Sequence, residues 1–251
     1  MRDLADRERK ASMIEHATLD PADVTDWVFD LDNTLYPRHC DLFGQIDLRM
    51  TAYVSRLTGL PHDDARRLQK QLYRDHGTTL NGLMREHDVD PHHYLADVHD
   101  IDYSVLLPDP GLGEAIAALK GRKHIFTNGD VPHARNALAA IGIAETVFDS
   151  IFDIVAADFM PKPMRGAYDR FVTAHGIRAE RAVMFEDLSR NLATAKELGM
   201  TTVLVRASRV QGAEHWEHEG HDAAHVDHAC DDIGEFLRAL LENRQGNQGR
   251  T

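Results

Sequence analysis

Five short apolar runs, separated by helical patterns, set the strongest limit on what this chain can fold into. They are WVFD (27–30), KHIFTN (123–128), IFDIVAA (151–157), RAVMFED (181–187) and TTVLVRA (201–207). Each is rich in Val, Ile or Phe and short enough for a buried strand. The stretches between and after them repeat apolar residues at spacings of three and four. Examples are Leu112, Ala115, Ile116 and Leu119; Ala134, Leu138 and Ile141; Leu192, Ala195 and Leu198; and Ile233, Phe236, Leu237, Leu240 and Leu241. Pro132 suits a first helical turn, and Gly142 and Gly199 suit helix ends. Strands alternating with helices predict an α/β fold with a Rossmann-like, mostly parallel sheet.

One gap breaks the alternation. About 90 residues separate the first run from the second, where a parallel crossover needs about a dozen. Residues 41–107 carry helical patterns of their own, the first with Leu42, Ile46, Tyr53, Val54 and Leu57 near one stripe and the next with Leu68 and Leu72. This segment is expected to be an inserted α-helical cap over the strand ends. The core is then expected from 23–40 and 108–243, after a mobile lead-in at 1–22 and before a disordered polar tail at 244–251.

Composition excludes some functions. Acidic residues outnumber basic ones, 41 to 28, for a net charge of −13, which argues against a nucleic-acid polymer as partner. No apolar run approaches the length of a membrane span, and the charged N-terminus lacks the apolar middle of a signal peptide. Cys40 and Cys230, the two cysteines, read as reduced thiols in a cytoplasmic protein.

The chemistry lies where the apolar runs stop. In an open parallel sheet, ligands gather outside the carboxyl ends of the strands. The first run stops at Asp30, Asp32 and Thr34, and the second at Thr127 and Asn128. Lys162 follows the third, and Glu186 and Asp187 end the fourth. The acidic pair alone reads equally well as a solvated turn. With the other strand ends adjacent, four acids, one lysine and two small hydrogen-bonding residues meet in one crevice. An all-oxygen donor set favours a hard cation, and Mg²⁺ fits best. Without one, the carboxylates would repel and take up protons.

The strings DLDNT (30–34), TN (127–128), Lys162 and ED (186–187) resemble the four ordered motifs of the haloacid dehalogenase superfamily. The resemblance covers roughly residues 27–206. FDLDNTLYP, HGTTLNGL (76–83) and EDLSRNLATAKELG (186–199) are most similar to its pyrimidine 5′-nucleotidase branch. The resemblance implies a phosphomonoester hydrolase. Asp30 would be the nucleophile, forming a phosphoaspartate, and Asp32 would protonate the leaving oxygen, with local help to hold that proton. Asp30, the Asp32 main-chain carbonyl, Asp187 and Glu186 would hold Mg²⁺, with Glu186 otherwise a supporting residue and Asn191 supporting the site. Thr34, Thr127, Asn128, Gly129 and Lys162 would receive the phosphoryl group. True dehalogenases lack the second aspartate, so Asp32 points to phosphate esters.

The implied substrate is a small phosphorylated metabolite, a pyrimidine nucleoside monophosphate first. A sugar phosphate or phosphoglycolate is the alternative, followed by a phosphomutase or a non-catalytic binding protein. Tyr36, Thr78, Thr79, Asn81 and Tyr94 could meet the base or sugar. Tyr94 could equally pack between cap and core, and Thr78 and Thr79 could mark a helix terminus. The histidines His215, His218, His221, His225 and His228 read as a solvated acidic loop or helix, with adventitious Zn²⁺ or Ni²⁺ binding as the other reading.

Overall fold

A computed structural model describes residues 19–206 and 223–248 of the chain. The described strands are β1 (Asp26–Phe29), β2 (Arg122–Phe126), β3 (Ser150–Phe152), β4 (Ala182–Glu186), β5 (Thr201–Val205) and β6 (His228–Cys230). They form one sheet in the order β3-β2-β1-β4-β5-β6, every pairing parallel. The chain runs from β1 to β2 and β3 on one side, then returns to β4 on the other. That reversal puts a topological switch point at the carboxyl end of β1.

Alternation along the strands builds two cores. Trp27 and Phe29 of β1 point to one face, with Ile125, Val183, Phe185 and Val203. Helices α5 (Pro110–Ala118), α6 (Val131–Ala140) and α9 (Ile233–Gln248) cover that face. Val28 points the other way, with Phe126, Met184 and Leu204. Helices α7 (Arg165–His175) and α8 (Ser189–Glu197) pack there through Tyr168, Phe171 and Leu192. Several helices start on a side-chain cap followed by proline: Asp109 accepts from the Leu112 N–H at 2.9 Å and Asp130 from the His133 N–H at 3.0 Å.

Between β1 and α5 lie four further α-helices, α1 (Leu42–Thr58), α2 (His62–His76), α3 (Thr79–His87) and α4 (Pro91–Val98). They share a third core of Ile46, Val54, Leu72, Leu83, Leu95 and Val98, which Ile154 of the sheet side joins. Leu57, expected on the buried stripe of α1, is 41% exposed. It lies in the last turn of the helix.

Other elements depart from the sequence reading. The third run ends as a strand at Phe152, not Ala157, because Asp153 Oδ1 accepts from the Ala156 N–H at 2.8 Å and turns the chain. Helix α7 and strand β6 are additions. Helix α9 extends through Gln248, so residues 244–248 are helical where a disordered tail was expected; adding residues to an existing helix costs little compared with starting one. Residues 19–22 of the expected lead-in include a turn in which Asp20 Oδ1 accepts from the Ala22 N–H. His215, His218 and His221 lie outside the described residues. Both cysteines are free. No helix among the described residues is long and apolar enough to cross a membrane.

Phe171 anchors α7 to the sheet. It is fully buried and stacks on Phe126 at 4.8 Å between ring centroids. Phe171→Ala is expected to cost about 3–5 kcal/mol of stability, read from the urea unfolding midpoint. A loss below about 1 kcal/mol would contradict this packing.

Candidate active site

The switch point brings four strand ends together. Asp30 follows β1, and its N–H donates to Phe185 O at 2.9 Å, extending the ladder to β4. Glu186 closes β4 and Asp187 follows it. Lys162 lies on the loop after β3, braced by Asn128: the Lys162 N–H donates to Asn128 Oδ1 at 2.8 Å, and Asn128 Nδ2 donates to Lys162 O at 3.3 Å.

A buried ammonium ties the acids together. Lys162 Nζ donates to Asp30 Oδ1 at 2.6 Å, Glu186 Oε2 at 2.7 Å and Phe126 O at 2.8 Å. All three of its donors are used. Thr34 donates to the other Asp30 oxygen at 3.1 Å, and Glu186 Oε1 accepts from the Leu188 N–H at 3.2 Å. Carboxylate oxygens of Asp30, Glu186 and Asp187 lie within 4.8 Å of one another, all buried.

The charges in this cluster do not balance. Burial pushes the Asp30 carboxyl up and Glu186 adds to it, so that Lys162 leaves it at about 7. Burial, then Glu186 and Asp30, hold Asp187 well above the usual carboxylate range. Lys162 is raised as well: burial lowers it, but Asp30 and Glu186 together outweigh that. The two partners of one ion pair thus shift the same way. The lysine faces two anions, whereas Asp30 faces one cation, a neighbouring anion and a dry wall.

Three acids against one lysine, all donors oxygen, fit a hard divalent cation. Asn191 supplies a second sign. Its Oδ1 is buried without a hydrogen-bond partner, and the residue lines the same cavity as Asp187.

Asp32 belongs to a different environment. Its Oδ1 accepts from His133 Nε2 at 2.7 Å and from the Tyr36 hydroxyl. Burial alone would raise its carboxyl, but His133 and then Tyr36 bring it down to about 2. Asp32 is therefore ionised at rest, the reverse of the proton-holding environment expected from sequence. His133 is shifted up: burial lowers it, and the Asp32 charge more than offsets that. Tyr103 meets His133 Nδ1 at 2.9 Å, and the His99 ring stacks on the His133 ring at 4.3 Å.

A cavity of about 610 Å³ opens from this cluster into the helical insertion. Asp30, Asp32, Asn128, Gly129 and Asp187 line its floor, while Phe43, Ile46, Met50, Leu95 and Val98 form apolar walls. Thr78, Thr79 and Tyr94 also line it. Thr78 caps α3, accepting from the Asn81 N–H at 3.1 Å. Tyr36, expected against substrate, is not among the lining residues. It packs in the core beside β1 with its hydroxyl on Asp32. Thr127 is buried below the floor, where its Oγ1 accepts from the Gly129 N–H at 2.9 Å. His225 meets Ser189 Oγ at 2.8 Å, and His228 lies in β6.

Sequence reasoning missed His133, His99, Asp130 and Tyr103. A signal existed for His133: Asp130 is the cap of α6, and a residue three positions on lies in the first turn, beside the end of β2.

Comparison with known proteins identifies the family and the fold. The family model for haloacid dehalogenase-like hydrolases matches residues 28–199. The chain belongs to that family. Phosphate metabolism protein 8 of Saccharomyces cerevisiae is 25% identical over 232 residues, covering 85% of this chain and 70% of that protein. Two solved structures share the fold. One is an L-2-haloacid dehalogenase of Xanthobacter autotrophicus, with 16% identity, 87% of this chain and 98% of that chain covered, and a TM-score of 0.56. The other is a HAD phosphatase of Thermococcus onnurineus, with 20% identity, 87% and 98% covered, and a TM-score of 0.55.

The raised carboxyls have a thermodynamic consequence. A carboxyl whose folded value is raised contributes stability below its unfolded value, about 3.9, and loses it as pH rises through the folded value. For Asp30 that window ends near 7. A divalent cation replaces those protons. Millimolar Mg²⁺ is therefore expected to raise the melting temperature more at about pH 8 than at about pH 5.5, measured by thermal unfolding. Equal shifts at the two pH values would contradict the fit.

Proposed function

We propose that the protein is a Mg²⁺-dependent phosphomonoesterase working through a phosphoaspartate, with a pyrimidine nucleoside 5′-monophosphate as substrate. The observation that carries this reading is the Lys162 ammonium bridging Asp30 and Glu186 beside Asp187, with a second acid, Asp32, held apart on His133. Family membership supports hydrolysis. Asp32 supports phosphate esters over carbon–halogen bonds, and the yeast relative's name associates it with phosphate metabolism. In this reading residues 41–107 are the cap, 23–40 and 108–243 are the core, and the free thiols fit a cytoplasmic setting.

Asp30, Asp187, the Asp32 carbonyl and Glu186 would hold the metal, with Asn191 in support. Bound Mg²⁺ would neutralise charge on the phosphoryl oxygens. An Asp30 oxygen attacks phosphorus, forming the acyl phosphate as the bond to the leaving oxygen breaks. Lys162 neutralises the nucleophile's neighbours and the phosphoryl group. Asn128 and Gly129, on the cavity floor, would receive phosphoryl oxygens, with Thr127 below them on the Gly129 N–H and Thr34 holding Asp30. Asp32, ionised without substrate, takes up a proton as the ester's negative charge comes to lie beside it and passes that proton to the leaving oxygen, while His133 Nε2–H donates to its Oδ1. Asp32 then takes a proton from the attacking water, and Asp30 is released. The apolar walls of the insertion and Thr78, Thr79 and Tyr94 would surround the nucleoside and exclude water.

A panel of nucleoside monophosphates, sugar phosphates and phosphoglycolate, assayed for free phosphate with Mg²⁺, tests the reading. Pyrimidine nucleotides are expected to be the best substrates, with Asp30→Asn inactive and Lys162→Ala slowed by at least about 10²-fold. Full activity in Asp30→Asn, or turnover without phosphate release, would overturn it. Preference for sugar phosphates would retain the chemistry and replace the nucleotide.

A further inference from the structure

The geometry points to His133 as a positioning residue that decides which oxygen of Asp32 faces the leaving group. The inference rests on Asp32 being the proton donor to that group. Asp32 follows β1 in a turn, and its side chain is 20% exposed, so packing alone does not fix its rotamer. Both hydrogen bonds from His133 Nε2 and the Tyr36 hydroxyl land on Oδ1. Oδ2 accepts no hydrogen bond among the described residues, and Asp32 lines the cavity. Oδ2 is therefore the oxygen left for a ligand.

His133 suits this task because it is itself immobile. Its side chain is fully buried, and its N–H is held by the Asp130 cap at 3.0 Å. One face of the ring lies against His99, 17° from parallel. His99 Nδ1 in turn faces Asp130 Oδ1 at 2.9 Å. Tyr103 closes the far side at Nδ1. The Tyr103 hydroxyl sits between Nδ1 and the His99 carbonyl, to which it donates at 3.2 Å. An ionised Asp32 can only accept, so the 2.7 Å contact requires the proton on Nε2. His99 and Tyr103 belong to the segment that returns the chain from α4 to the sheet. The orientation of Asp32 thus depends on how the insertion is attached.

A histidine that merely filled the core would affect all substrates alike. A histidine that positions Asp32 matters for forming the phosphoaspartate only where the leaving oxygen needs a proton. The later attack of water is common to all esters, so the comparison is made on kcat/KM, which reports the first step. Para-nitrophenolate leaves without one, whereas the 5′-oxygen of a nucleotide does not. Variants His133→Ala, His133→Gln and Tyr103→Phe are therefore compared on para-nitrophenyl phosphate and on an alkyl ester, cytidine 5′-monophosphate or β-glycerophosphate, each as the full chain with Mg²⁺. His133→Ala is expected to lower kcat/KM on the alkyl ester by about 10²-fold or more, with KM within about twofold. The kcat/KM for para-nitrophenyl phosphate should stay within about threefold. His133→Gln, which keeps an N–H donor, should recover part of the loss. Tyr103→Phe should lose activity selectively on the alkyl ester, and it stands in if His133→Ala does not fold. Equal losses of kcat/KM on both esters, or no loss on either in folded variants, overturn the inference. Failure of the wild-type protein to cleave either ester overturns the proposed function instead, and the inference with it.

Discussion

Everything at the carboxyl edge of the sheet depends on one buried ammonium. Lys162 sits almost out of reach of solvent between Asp30 and Glu186, with the Phe126 carbonyl as its third acceptor. Removing one member of such a buried pair typically costs about 3–5 kcal/mol, because the partner charge is left stranded. The parallel sheet makes the arrangement achievable. Residues distant in sequence become neighbours because β2, β1 and β4 are adjacent and in register, so their ends are level. Lys162 arrives from beyond β3, and Asn128 at the end of β2 braces its backbone.

The site separates its carboxylates by environment rather than by residue type. Asp30 and Asp187 share a dry pocket with Glu186 and are pushed toward protonation. Asp32, two residues from Asp30, is pulled the other way by His133 and Tyr36. Acids whose environments move them in opposite directions are suited to different tasks. The first group suits a cation and a nucleophile; the second suits a proton exchanged with a partner. Above both, the insertion lines the cavity with apolar residues such as Ile46 and Val98 and with polar ones such as Gln69, Lys70 and Arg74, so a ligand would have its phosphoryl end at the sheet and its body among the helices.

Much of this was legible in the sequence because the informative residues lie where apolar runs stop. A polar residue directly after a buried strand has few roles, and four such ends in order define a crevice. The long gap between β1 and β2 revealed the insertion in the same way. Helix α7 was overlooked although Ala167, Tyr168 and Phe171 carry a helical spacing, because it follows a Pro-bracketed loop. Strand β6 is three residues long, two of them only partly buried, and so has no apolar run to read. The His133 network was hidden for a deeper reason. Its members come from α6, from the end of α4 and from the connecting segment, and they meet only in space. Tyr36 failed as a substrate contact on orientation: sequence placed it near the acids, but the turn after β1 directs it into the core.

The most direct measurement is to quench the protein during turnover of its best phosphate ester and reduce it with borohydride, which converts an acyl phosphate to an alcohol. Peptide mapping is predicted to find the Asp30 side chain reduced, and only when substrate and Mg²⁺ are both present. Reduction at another carboxylate, or at none while phosphate is being released, would contradict the account.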